Sequence, residues 1–484
     1  MQYLFIFFLA SLLNACQVDP EFWYNSNKQE LTTELTKWQD EYDKQKKLFN
    51  INLNQNSIFW LIVPHAGYKY VGPILTQAYV PFYNLDLDKI IILSPLHQAS
   101  NKIFAPDCKN IQTVLGKLKT STIPGFKITK LPKEHAFSNQ LPFLFKLQSS
   151  IKKNPIVYPV FIGNSSEEDL NYNLDQLQKF ITPKTLIIVS SDLTHLGKRF
   201  KFTPNISQTI LDNNILKSIN NLDINEFEKS LDDAGHTVCG EKPLNFLIKL
   251  LKKLPILELR SKTLVYDNSK NIFPSHDQND DSSVGYGVIF GSGQLLYLTN
   301  KQKINILEYT KSYFKILLKS KSITDLAVSK NINFTNNLPN PYGLFVTIKN
   351  KKNNHELRGC LGLLKSNDKN FLQQLNSRIK ALAEHQDTRF KKISLEEYPD
   401  LTFEISILMN PEKTDFNLFD INDGLILNHL KDGLKYNSIY IPGVIVDAKW
   451  NKLKAFEQLS LKAGLLKDDW KKANFQSIKS IIIK

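Results

Sequence analysis

Three histidines each stand a few residues beyond a short apolar run. His65 lies in Pro64-His65-Ala66-Gly67-Tyr68, His97 in Ser94-Pro95-Leu96-His97, and His195 in Ser191-Asp192-Leu193-Thr194-His195. Imidazole ligates metals and moves protons near neutral pH, so loops of this kind brought together make a metal site or an acid–base site. The fourth group is Cys239, in Gly235-His236-Thr237-Val238-Cys239-Gly240, just ahead of a helical pattern from Pro243 to Lys253. A helix N-terminus favours the thiolate, the form that binds metal, and with His236 close in sequence this makes Cys239 the expected most reactive thiol of the metal-free chain. Taken singly, each residue also reads as an ordinary loop histidine or a small buried cysteine. The coincidence of four, in a chain with nine His, is what points to a site.

The elements that must position these groups are legible as hydrophobic runs. Ile58 to Val63, Lys89 to Leu93, Ile156 to Ile162 and Leu186 to Ser190 are continuously apolar, the pattern of strands covered on both faces of a parallel sheet. Helical spacing over Leu170 to Phe180 and Ile206 to Ile219 alternates with them, which predicts a doubly wound α/β domain. Ligands of such sheets bind outside the carboxyl ends of the strands, so the three histidine loops face one crevice. A boundary falls near Gly291 to Asn300, and a new helical pattern starts around Ile304. Beyond it, Phe345 to Lys349 and Leu401 to Leu408 alternate apolar and polar residues, and a polar turn leads into Leu357-Arg358-Gly359-Cys360-Leu361-Gly362. This predicts an α+β domain with antiparallel strands. Arg358 and Cys360 are secondary candidates there, for a nucleotide-like ligand or RNA, with Gly359 and Gly362 suggesting a close backbone approach or a tight bend near them; the alternative is a strand packed against a helix.

A length of 484 residues suits two domains, and 42% hydrophobic residues are ample for two packed cores. The formal charge of +14 comes mostly from scattered Lys, without an Arg-rich stripe or interleaved aromatics, so specific nucleic-acid binding is not expected. Four cysteines far apart indicate neither a zinc ribbon nor a disulfide framework. The apolar run Tyr3 to Leu13 is too short to span a bilayer and ends in Leu13-Asn14-Ala15-Cys16, which resembles a bacterial lipobox although no Lys or Arg precedes it. Two readings follow: an exported protein anchored to the membrane through lipid on Cys16, or a cytoplasmic protein with a misassigned start or an N-terminal strand.

Residues 17–292 resemble the Memo family, through Phe22-Trp23-Tyr24, the Pro64 to Tyr68 loop, the Ser94 to His97 segment, Glu134-His135-Ala136-Phe137-Ser138-Asn139-Gln140-Leu141-Pro142-Phe143, the Ser190 to His195 loop, His236 to Gly240, and Asp281 to Tyr286. The resemblance implies a mainly parallel sheet similar in fold to the class III extradiol dioxygenases. It implies metal ligands at His65, His97 and Cys239, a catalytic base at His195 and an orienting Asp192 beside it. Iron(II) is the ion it favours, with copper and zinc as alternatives. Gln98 stands where many relatives have a second His, which removes a possible extra ligand. A cysteine in place of the dioxygenase carboxylate makes the site softer, so dioxygenase activity does not follow from the fold.

Residues 304–484, after a linker at 293–303, resemble the AMMECR-type domain through Leu357 to Gly362, Asp387-Thr388-Arg389-Phe390 and Leu401 to Leu408. Together the two parts resemble components B and A of the AmmeMemoRadiSam system, fused behind a possible leader at 1–16, which implies a radical-SAM enzyme as partner. This chain lacks the C-x-x-x-C-x-x-C site of that enzyme. Three functions remain open: a metal-dependent, oxidative enzyme acting on a small molecule or modified residue; a peptide- or partner-binding protein with a regulatory or vestigial metal; and a C-terminal domain that binds a nucleotide-like ligand or RNA.

Overall fold

The computed structural model describes residues 15–18, 20, 22–44, 57–274, 281–319, 341–365 and 370–484. The expected leader, up to residue 14, lies outside them. The chain divides into two compact units, Met1–Leu295 and Leu296–Lys484.

The strands of the first unit are β1 (Ala15–Gln17), β2 (Ser57–Val63), β3 (Lys89–Pro95), β4 (Ile103–Pro106), β5 (Asn110–Gln112), β6 (Lys117–Lys119), β7 (Ile128–Thr129), β8 (Ile156–Ile162), β9 (Thr185–Ser190), β10 (His195–Leu196), β11 (Ile256–Asn268) and β12 (Ser283–Leu295). Nine of them form one sheet, whose centre runs β2-β9-β3-β8 with all neighbours parallel. Antiparallel strands flank it: β12 pairs with β2 and carries β11 and β10, and β4 pairs with β8 and carries β7.

The apolar runs behave as double-sided strands. All seven residues of β2 are buried. Ile58, Trp60 and Ile62 join one core, with Leu174, Leu216, Phe227 and Leu247 from the helices Glu167–Phe180, Gln208–Asn220, Ile224–Asp233 and Glu241–Lys253. Phe59, Leu61 and Val63 join the opposite core, with Leu35, Leu75 and Leu144 from the helices Lys28–Lys44, Tyr68–Tyr79 and Leu141–Ser150. Each such side chain contributes roughly 1.5–3 kcal/mol on burial, so the strand ends are held by a stiff scaffold.

A separate small sheet, β1-β5-β6, joins β1 to β5 in parallel. There Cys16 and Cys108 form a disulfide with a Cα–Cα distance of 5.9 Å. This corrects the expectation drawn from cysteine spacing: the partners are 92 residues apart in sequence, and only the β1–β5 pairing brings them together. A sulfur bonded in this way does not also carry a thioether-linked lipid.

Among the described residues the second unit holds two four-stranded sheets, antiparallel throughout. In β14-β13-β15-β20 the strands are β13 (Gly343–Asn350), β14 (Glu356–Leu363), β15 (Leu401–Leu408) and β20 (Ser480–Ile483). In β16-β19-β17-β18 they are β16 (Glu412–Thr414), β17 (Gly424–Lys431), β18 (Leu434–Tyr440) and β19 (Asn474–Ile478). The first helix of this unit spans Asn300–Lys319, beginning ahead of the expected Ile304. The cause is a reciprocal cap: Thr299 Oγ1 accepts from Gln302 N–H at 3.2 Å and Gln302 Oε1 accepts from Thr299 N–H at 2.8 Å. Among the described residues no helix is long and apolar enough to cross a membrane.

Candidate metal centre

Three neighbouring parallel strands, β2, β9 and β3, end side by side, with Val63 opposite Ser190 and Leu93 opposite Val189. His65, His195 and His97 follow those ends, so the crevice expected from the sequence forms. Cys239 reaches it from the other side through a close approach: Gly240 donates its N–H to Ser191 Oγ at 3.0 Å, and a Cβ on Gly240 would lie 2.3 Å from that of Ser191. Only glycine lets this turn meet the end of β9. One potential ligand atom each from His65, His97 and Cys239 then lies within 4.8 Å of the others.

Hydrogen bonding fixes which nitrogen of each ring faces the centre. His65 is 1% exposed. Its Nδ1 lies 3.1 Å from Ser190 Oγ, whose own hydroxyl proton goes to Ala136 O at 2.7 Å. Ser190 Oγ therefore accepts, Nδ1 carries the proton, and Nε2 is a bare lone pair. That Nε2 is buried without a hydrogen-bond partner, 4.0 Å from Asp192 Oδ2. An orphaned, desolvated imidazole nitrogen is costly unless a ligand meets it, which is the property a metal ligand needs. Burial first, then the neighbouring His135 and His97, hold the His65 pKa well below the ordinary range, so the ring is neutral. His97 Nδ1 is 2.8 Å from Glu134 Oε1, which likewise turns its Nε2 free.

His195 donates Nδ1–H to Leu193 O at 2.9 Å and points Nε2 at Cys239 Sγ, 3.7 Å away. The ring nitrogen that Asp192 is expected to hold is bonded to Leu193 O instead, and Asp192 serves the loop of His65. Its Oδ1 accepts the His65 backbone N–H at 2.7 Å, while the backbone N–H of His195 goes to Thr237 Oγ1. Burial raises the Asp192 pKa, opposed by His195 and the His65 N–H.

The expected activation of Cys239 also fails. Gly240, not Cys239, caps the helix Glu241–Lys253, and burial, then the charges of Asp192 and Glu134, push the thiol pKa up. His236 is turned away, bonded to Glu241 at 3.0 Å and Asp232 at 3.1 Å on the exposed side of the turn. Without a metal, Cys239 is a neutral thiol.

One segment missed as a contributor to the site clamps both histidine loops. Glu134, buried, accepts from the ring and the backbone N–H of His97. Asn139 donates to His65 O, and Gln140 donates to Pro64 O at 2.8 Å and Ser190 Oγ at 3.2 Å. His135 stands between, its ring centroid 4.2 Å from that of His97 and 4.3 Å from Trp23, on which it stacks. The signal was present in Glu134 to Phe143, but nothing local in that stretch says where its polar side chains point. His97, Glu134 and His135 form a second group with metal-ligating spacing. Above the centre opens a pocket of about 640 Å³ walled by Trp23, Tyr70, Phe200, Phe273 and Tyr286.

In the second unit Arg358 and Cys360 are committed to packing. Arg358 forks onto Glu397, with Nη2 2.9 Å from Oε2. Cys360 donates its N–H to Asp387 at 2.8 Å, accepts from Arg389 at 2.9 Å through its carbonyl, and sets its sulfur 3.3 Å from Thr347 Oγ1; burial raises its pKa. A Cβ on Gly359 would come within 3.0 Å of Leu382 and one on Gly362 within 2.2 Å of Phe345. The first is the close approach of a strand packed on the helix Phe371–Ala383, and the second that of two paired strands, β13 and β14.

Residues 21–290 match the model of the family described as Memo-like protein, and residues 308–479 match AMMECR1. Protein memo-1 homolog of Caenorhabditis elegans is 27% identical over 299 residues, spanning 55% of this chain and 80% of that one. The MEMO1 family protein MHO1 of Saccharomyces cerevisiae is 25% identical, over 54% of this chain and 94% of its own. Protein MEMO1 of Homo sapiens is 26% identical, over 48% and 82%. Among solved structures, the uncharacterized protein PH0010 from Pyrococcus horikoshii matches 38% of this chain and 92% of its own at 20% identity, with a TM-score of 0.32. The strand-end histidines, the Cys239 turn and the family match over residues 21–290 converge: the chain belongs to the Memo-like protein family, with an AMMECR1 domain following in the same polypeptide.

Proposed function

We propose that the first domain is a metal-dependent enzyme of oxidative type, acting on a small molecule or a modified residue in the crevice, with one ion held by His65, His97 and Cys239. The observation that carries this reading is the buried, partnerless Nε2 of His65, aimed into a cluster whose other members are an imidazole and a thiol. Two imidazoles and a thiolate form a borderline-soft set that leaves coordination positions open. Iron(II) is the ion we propose, by resemblance to the dioxygenase-like fold, with copper and zinc as the alternatives. When bound, the ion would supply Lewis-acid or redox chemistry at the open positions.

The chain's own groups have definite work in this reading. Ser190 and Glu134 fix the ligand rings, and Asp192 holds the loop of His65 by its backbone N–H. His195, with Nδ1–H tied to Leu193 O, offers Nε2 as the proton acceptor or donor facing the pocket. Trp23, Tyr70, Phe200 and Phe273 line the space a substrate would fill and offer it apolar and aromatic contact. The radical-SAM partner belongs to the same proposal and is supported by the fusion of the two domains. Export remains a proposal too, and it is supported by the disulfide at Cys16.

Elemental analysis of full-length protein purified without added metal tests the reading. Close to one transition-metal ion per chain is expected, lost in the His65→Ala/Cys239→Ser double variant. Stoichiometric metal that persists in that variant would overturn the assignment.

A further inference from the structure

Glu134 belongs to two arrangements at once. With His97 and His135 it has metal-ligating spacing, yet its carboxylate already grips His97 by ring and backbone together. The oxygens decide between the two. Oε1 accepts from His97 Nδ1 at 2.8 Å and from Ala136 N–H at 2.9 Å, and Oε2 accepts from His97 N–H at 2.7 Å. The side chain is 1% exposed. A carboxylate spent on three N–H donors in a dry setting has little capacity left for a cation, whereas the same bonds lock a histidine in one tautomer and one orientation.

We propose that Glu134 is the positioning residue of the metal site: it holds His97 as the Nδ1–H tautomer, presents Nε2 to the ion, and strengthens that ligand, and it is not itself a ligand. His97 is the member of the cluster that needs such a hold, because its ring is 35% exposed whereas that of His65 is enclosed. Gripping the backbone N–H as well as the ring ties the loop after β3 to the segment that also carries Asn139 and Gln140. The two histidine loops are therefore set by one stretch of chain. His135, whose Nδ1 lies 3.4 Å from Glu134 Oε1, against 2.8 Å for His97 Nδ1, stacks on Trp23, and in this proposal it serves as a wall and not as a ligand.

This proposal rests on the metal-site reading, and its test separates the two. The probe is cobalt(II) added to metal-free full-length protein, followed by its thiolate charge-transfer and ligand-field absorption. Glu134→Ala should weaken cobalt binding by about ten- to a hundredfold while the stoichiometry at saturation stays that of wild type. Glu134→Gln keeps one oxygen for Nδ1–H and should recover part of that loss, and His135→Ala should bind as wild type does. Unchanged affinity in Glu134→Ala would overturn the proposal, as would an equal loss in His135→Ala, which would make the pair ligands. Histidine-labelled ¹⁵N NMR of the unmodified, metal-free protein needs no variant to fold: His97 should carry its proton on Nδ1, and a proton on Nε2 would sink the idea. A wild-type protein that takes up no cobalt while His97 still shows the Nδ1–H tautomer would overturn the metal reading and leave the hold of Glu134 on His97 standing.

Discussion

Ser190 accepts the Nδ1–H of His65 at 3.1 Å and passes its own proton to Ala136 O at 2.7 Å, so a serine at the end of β9 decides that the bare nitrogen of His65 faces the pocket. Removing this hydroxyl leaves the His65 N–H and the Ala136 carbonyl short of a buried partner. Ser190→Ala should cost about 1–3 kcal/mol of stability in the first domain. It should also weaken metal binding by about tenfold or more. Urea unfolding of the metal-free protein and a chelator competition titration measure the two effects separately. A variant that loses neither would show that the tautomer is set elsewhere.

Cys239 should resist alkylation in metal-free protein at neutral pH. Burial, with Asp192 and Glu134 nearby, raises its pKa, so the reactive thiolate is scarce and labelling should speed up as pH rises, by about tenfold per pH unit while the thiol is mostly protonated. Mass-spectrometric rate measurements at several pH values check this. Rapid, pH-independent labelling would mean the thiol is already ionised.

The Cys16–Cys108 bond should appear as linked peptides in a non-reducing digest of protein isolated from its native cell. Closing so long a loop stabilises by about 2–4 kcal/mol, so Cys108→Ser should unfold at correspondingly lower urea. A disulfide of this kind persists outside the reducing cytoplasm, and fractionation should place the protein there. Two free thiols, or a lipid on Cys16, would refute the pairing.

The second domain should lose stability in acid through two ion pairs. The Arg358 guanidinium holds Glu397 below the ordinary glutamate value, and that of Arg389 does the same for Asp387. A depressed carboxylate contributes stability above its unfolded value, about 4 for these residue types, and loses it as pH falls through the folded value. Glu397→Gln should cost about 1–3 kcal/mol at neutral pH by leaving Arg358 half-satisfied, and should flatten this part of the acid profile. Unfolding of the full chain followed by hydrogen exchange in β14 and β15 resolves this domain from the first; an unaltered profile would show that the pair is not coupled to folding.

The central sheet was legible because its strands are buried on both faces. Ile58 to Val63, Ile90 to Leu93 and Leu186 to Val189 are apolar throughout, as that setting requires, and the fold then brings the residues that follow them, His65, His97 and His195, to one crevice. Element type and loop position are encoded locally, and so are a capping pair such as Thr299 and Gln302 and the turn that carries Cys239. Partnership is not. That Asp192 serves the backbone of His65 and not the ring of His195, that burial silences the Cys239 thiol, that Cys16 finds Cys108, and that Glu134 grips His97 across 37 residues are outcomes of packing. Hydrogen bonds, desolvation and disulfides act over a few ångströms of space, and distance in space between residues far apart in the chain is fixed only once the two cores have closed on the sheet.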